Sequence, residues 1–148
     1  MIRSFFIFLF WILIVSFIIL YPILISMHVY LPLFIGFAGY LIIWGFEGHG
    51  MRYVWLPLIY IINLDANLSL PMFLSILSIL LFYLVLYEKI RFLKRCPICV
   101  GLLSVAFIDL FYVGMLVGYD FIFDTTSIMI DSLLVYSLVF DLVFVVLI

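Results

Sequence analysis

The chain is a succession of apolar runs separated by short polar breaks. The runs cover Phe5 to Ile25, Val29 to Phe46, Tyr53 to Leu64, Leu70 to Tyr87, Ile98 to Tyr119 and Ile128 to Ile148. An α-helix needs roughly 20 mainly apolar residues to cross the hydrocarbon core of a bilayer, and about 17 can suffice. The pattern therefore predicts an all-α integral membrane protein, a single domain over residues 1–148 folded as a six-helix transmembrane bundle. The third run is short, carries Pro57 and ends in Asn63-Leu64-Asp65, so by length alone it also fits a re-entrant segment.

Six crossings rather than five follow from the basic residues, which concentrate in cytoplasmic loops. The chain has six of them: Arg3, Arg52, Lys89, Arg91, Lys94 and Arg95. With six helices and both termini cytoplasmic, all six lie inside, and the breaks holding Asp65, Asp120 and Asp124 lie outside. A third segment that turned back would export the whole Lys89 to Arg95 cluster. On the cytoplasmic face that cluster orients the chain and attracts anionic headgroups, at about 1 kcal/mol per basic residue.

Composition agrees with lipid as the solvent. Of 148 residues, 71% are hydrophobic and 9% charged, against roughly 45–50% and about 25% in a soluble domain. Mean hydropathy is +1.56. The first run is longer than the roughly 7–15 apolar residues of a cleavable signal and has no small-residue cleavage site behind it, so it reads as a retained helix. No basic stripe follows a phosphate backbone, and nucleic acid is set aside as a partner. The Tyr30, Trp44, Tyr53, Trp55, Tyr83, Tyr87, Tyr112 and Tyr119 rings fall mostly near predicted ends and read as interfacial anchors.

Two cysteines, in Cys96-Pro97-Ile98-Cys99, leave the compartment undecided. Membrane thiol oxidases of the DsbB kind face the oxidising side and carry a second cysteine pair. Here the pair falls on the reducing side and has no partner pair, so redox chemistry is the lesser reading. Pro97 suits the first turn of a helix, where a missing N–H removes nothing. Zinc wants four ligands, and the pair with His49 leaves the set incomplete. No metal or cofactor is assigned.

Ionisable residues inside a membrane helix are costly and face the bundle or a wet cavity. Asp109 lies near the middle of the fifth run, and Asp141 two thirds along the sixth with Ser137 one turn before it on the same face. The first expectation is a pair of neutral acids hydrogen-bonded between helices, at different depths; a proton or small-molecule path and a partner contact stay open. Gly114-Met-Leu-Val-Gly118 has the GxxxG spacing that lets backbones meet, and packing within the chain is expected ahead of dimerisation. Gly36 and Gly39 in the second run, and Ser75 and Ser78 in the fourth, mark other close approaches. No phosphate loop, HExxH or G-x-S-x-G is present, and no catalytic residue is assigned.

The order of features resembles MreD, the small integral membrane family of the bacterial rod-shape machinery. The likeness covers Pro32 to Tyr87: Pro32 opening the second helix in YLPLFIGFAGYLIIW, Arg52 opening the third, and IINLDANLSLP closing it. Asp65 matches the Asp of the family's Leu-Asp after the third helix. Ile61, Ile62 and the Asn67 to Pro71 turn depart from the family's glycines, and the basic cytoplasmic tail of many members has no counterpart. The resemblance implies a non-enzymatic inner-membrane scaffold associated with MreC and the cell-wall synthase complex. It also implies a fold similar to the substrate-binding subunits of energy-coupling vitamin transporters. For such a subunit Asp65, Asp124 and Asp131 would edge an outward cavity.

Overall fold

The computed structural model describes residues 2–28, 31–69, 71, 73–93, 95–125 and 132–148. Regular structure among these residues is all helical: α1 (Ile2–Met27), α2 (Ile35–Trp44), α3 (Arg52–Asn67), α4 (Leu74–Phe82), α5 (Glu88–Ile90), α6 (Pro97–Phe123) and α7 (Ser132–Leu147). Each of the six apolar runs contains a helix. π-helical turns, Gly45–His49 and Tyr83–Tyr87, prolong α2 and join α4 to α5. The α2–α3 turn reverses through Gly48 and Gly50, both at positive φ.

α1 and α6 are long and apolar enough to cross a membrane, and Leu133–Leu147 is a shorter apolar helix. α2 and α4 are short because each begins late. The second run was expected to be helical from Val29, opened by Pro32, but α2 starts only at Ile35; the fourth begins at Leu74 rather than Leu70. Phe34 and Phe73, immediately before the two helices, both take left-handed φ, 51° and 71°, a conformation uncommon for a bulky side chain. The third run is longer than expected, running to Asn67 as one helix through Pro57.

α2 lies at the centre, packed on α3, α6 and α7, while α6 also packs on α4, and α1 packs on α3. Hydrophobic drive between helices is small in lipid, so close packing and hydrogen bonds must hold a bundle together. Ile61, Leu64, Phe82, Ile108 and Leu116 are wholly buried between these helices. A Cβ on Gly39 would meet Ile79 and Ile108 at 3.0–3.1 Å, so the glycine sets how near α2 comes to α4 and α6. α1 is the outlier, its residues 3–10 exposed on all sides. Pro22 lacks the N–H that would bond the Ile18 carbonyl, and Asn63 Nδ2 of α3 reaches that region, donating to Ile19 O at 3.1 Å and Ile18 O at 3.4 Å.

Candidate functional site

Starting a helix inside an apolar bundle leaves its first N–H groups without partners, and irregular backbone at membrane depth is tolerated only where protein satisfies it. The stretch before α2 shows how this chain does so. Tyr21 of α1 donates its hydroxyl to Pro32 O at 3.0 Å, and Tyr60 of α3 donates to Leu33 O at 2.9 Å. Ser137 Oγ of α7 accepts the Leu33 N–H at 3.0 Å. Asp141, one turn further along α7, accepts the N–H of Gly36 at 2.9 Å and that of Phe37 at 3.3 Å through Oδ2. Asp141 has no exposed surface; its carboxylate replaces the water that would otherwise cap α2.

Asp109 of α6 completes this node. A Cβ on Gly36 would lie 2.7–2.8 Å from the Asp109 carboxyl group, so only glycine lets that group approach the start of α2. Both acids thus converge on Gly36 at the start of α2, which brings together residues expected at different depths. Counting along the runs misplaced them because α2 starts late and α7 is docked against that start. Asp109 Oδ2 and Asp141 Oδ1 are buried with no hydrogen-bond partner among the described residues. Beside Asp109 is a cavity of about 220 Å³, lined mainly by apolar side chains with Asp109, Tyr112 and Ser137 among them.

The start of α4 repeats the device. Asp65, at the end of α3, accepts the Ser75 hydroxyl at 2.7 Å through Oδ1, close to the first backbone N–H groups of α4, while its Oδ2 is buried with no hydrogen-bond partner among the described residues. It is 2% exposed. The third run was expected to end at Leu64; because α3 runs on to Asn67, Asp65 lies inside the helix and is enclosed between α3 and α4 rather than at an open edge. The sequence carries the signal for both nodes as a repeat that the run-by-run reading missed. Leu31-Pro-Leu-Phe-Ile-Gly36 parallels Leu70-Pro-Met-Phe-Leu-Ser75, and Gly39 parallels Ser78. In each copy the Phe takes the left-handed conformation and a carboxylate from another helix receives the new N-terminus. Leu70 and Met72 themselves lie outside the described residues.

Other expectations need correction. Gly114 and Gly118 do not pack within the chain: among the described residues nothing comes within 4 Å of the Cβ either would carry. Their face of α6 is turned away from its neighbours. Tyr112 is no interfacial anchor but a core residue, 1% exposed, because it lies on the α6 face directed at the Asp65 and Asp109 nodes. At one end of the bundle Arg91 Nε approaches Glu47 Oε1 at 3.8 Å, which joins the turn after α2 to the segment after α4. Arg95 is exposed beside it in sequence, as are Lys89 and Arg91; Lys94, Asp131 and Tyr30 lie outside the described residues. Among the described residues no three His, Cys, Asp or Glu side chains gather as a metal ligand set.

Protein-family models, curated proteins and solved structures were all compared with the chain, and none matches.

Proposed function

We propose that the chain is a multi-pass protein of the bacterial inner membrane, with six crossings and both termini cytoplasmic, and that it acts as a non-catalytic scaffold of the MreD kind. Its partners on this reading are the lipid bilayer, an MreC-like membrane protein and the cell-wall elongation complex. The observation that carries the reading is the use to which the buried polar groups are put. Asp65, Asp141, Ser75, Ser137, Tyr21 and Tyr60 each hold a backbone or side-chain group of another segment, a use that ties helices together, while Asp109 Oδ2 and one oxygen each of Asp65 and Asp141 keep no hydrogen-bond partner among the described residues. Asp65, the residue carried by the resemblance, is one of these structural acids. The exposed apolar side chains along α1, such as Phe5, Phe6, Phe8 and Phe10, suit lipid or a neighbouring membrane helix.

The cavity beside Asp109 favours one second reading, a membrane substrate-binding or transport subunit, since small-molecule sites combine apolar walls with a few convergent polar groups. Two measurements separate the readings. Co-expression with the MreC-like protein of the same cell, followed by detergent purification, should yield a complex that Asp109→Asn leaves intact. A small ligand that raises the melting temperature of the isolated protein, with no MreC association, sinks the scaffold in favour of transport. For the topology, an Arg95→Cys variant in a background with Cys96 and Cys99 replaced by Ser should resist an impermeant thiol reagent in intact cells; labelling there overturns the orientation.

A further inference from the structure

The scaffold reading leaves one chemically distinctive feature unused. Cys96 and Cys99 are joined by a disulfide, their Cα atoms 5.3 Å apart, and both are half-buried rather than sealed in the core. Cys96 is the N-cap of α6 in extended conformation, Pro97 follows in the first turn, and no side chain caps the helix in this oxidised state. An N-cap side chain is placed to accept the N–H groups of the second and third helical residues, here Ile98 and Cys99. Proline has no N–H to offer, so those amides are the first donors of a 27-residue helix. When the disulfide opens, a Cys96 thiolate sits where both the free amides and the positive end of the helix stabilise it. The exposed Arg95, its neighbour in the chain, adds positive charge.

The surroundings suit a protein partner. Phe92, Leu93 and Ile98 flank the pair in sequence and are 93%, 48% and 56% exposed, which gives the cysteines an apolar rim next to basic residues. We propose that Cys96 and Cys99 form a thiol–disulfide exchange centre whose reaction partner is a disulfide of another protein, docked on this rim.

The reduced pair acts in two displacements. The Cys96 thiolate attacks one sulfur of the partner's disulfide; a Cys96–partner disulfide forms, and the partner's other sulfur leaves as a thiolate and takes a proton from water. Cys99, its proton lost to solvent, then attacks the Cys96 sulfur; the Cys96–Cys99 bond closes and the second partner thiolate leaves and is protonated. The partner gains two electrons and two protons, and the pair is oxidised by the same amount. Two molecules of a low-molecular-weight thiol such as glutathione return the pair to the dithiol and become a disulfide themselves. Only this direction rests on the cytoplasmic orientation proposed above; the exchange does not.

The test uses the full-length protein in detergent. Equilibrated with glutathione buffers of graded ratio and then alkylated with a mass-tagged maleimide, it should pass reversibly between a state with no free thiol and one with two. Cys99→Ser, which keeps the attacking sulfur and lacks the resolving one, should accumulate a mixed disulfide with a fluorescent peptide closed by a single disulfide. Cys96→Ser should do so about tenfold more slowly, as expected for a thiol inside the first turn that does not occupy the N-cap position facing the free amides. A pair that stays in one redox state across the whole buffer series overturns the proposal, as do equal adduct rates for the two variants.

Discussion

The Asp141 carboxylate of α7 accepts the Gly36 N–H of α2 at 2.9 Å, across 105 residues of sequence. This one contact explains why α2 can begin in the interior of the bundle and why α7 docks where it does. It is also the contact through which Asp109 enters, since Gly36 leaves the space that its carboxyl group fills.

Removing the acceptor should be costlier than changing its charge. Asp141→Ala strands the N–H groups of Gly36 and Phe37 in an apolar interior, a loss of roughly 1–3 kcal/mol in stability. Asp141→Asn keeps a carbonyl oxygen for them and should retain most of it. Reversible unfolding in detergent compares the two, and equal losses would show that charge rather than capping matters at this position.

Gly36→Ala should destabilise the bundle by roughly 1–3 kcal/mol, the usual range for overpacking a filled interior. The effect should shrink when Asp109 is also shortened to Ala, because the clash is with that side chain. A double-mutant cycle reads the coupling; simple additivity of the two changes would mean that α2 and α6 move apart instead.

The α4 cap offers a parallel test at smaller scale. Ser75→Ala deletes the 2.7 Å hydrogen bond to Asp65, so a loss of about 1 kcal/mol is expected. Asp65→Ala strands that hydroxyl in the interior and opens a space between α3 and α4, and should lose more. If Ser75→Ala proved the more damaging of the two, the cap assignment at α4 would be wrong.

Gly118→Leu should not destabilise the chain and should add up to about 1 kcal/mol through helix propensity, because a Cβ there meets nothing among the described residues within 4 Å. The same variant, examined by light scattering in detergent, reports on self-association. A dimer that dissociates on this change would use the α6 face; a large loss of stability in the monomer would mean that the face is covered.

The helical class and the approximate placement of six helices were legible because runs of apolar residues are long and the breaks between them short. The starts of α2 and α4 were not. Pro32 looked like a helix opener, and what delays the helix to Ile35 is a set of partners on α1, α3 and α7 that no local window contains. For the same reason Asp109 and Asp141 looked separated in depth: with α2 misplaced, nothing in the sequence showed that α7 had to reach its N-terminus. Asp65 falls inside α3 because the helix runs on to Asn67, and its burial depends on how α4 packs over that end, which no local window contains. The paired Leu-Pro-x-Phe stretches were visible in the sequence, yet their meaning lies in the left-handed φ of Phe34 and Phe73, which composition does not disclose.

The two caps impose different timetables on biogenesis. Asp65 leaves the ribosome before the helix start it serves, so α4 meets its acceptor as soon as it forms. Gly36 must wait until residue 141 has been synthesised, and the nascent chain holds that start provisionally through most of its translation. Late-acting folding defects should therefore gather in α7, and a polypeptide stalled before Asp141 should carry an α2 whose start lacks its acceptor.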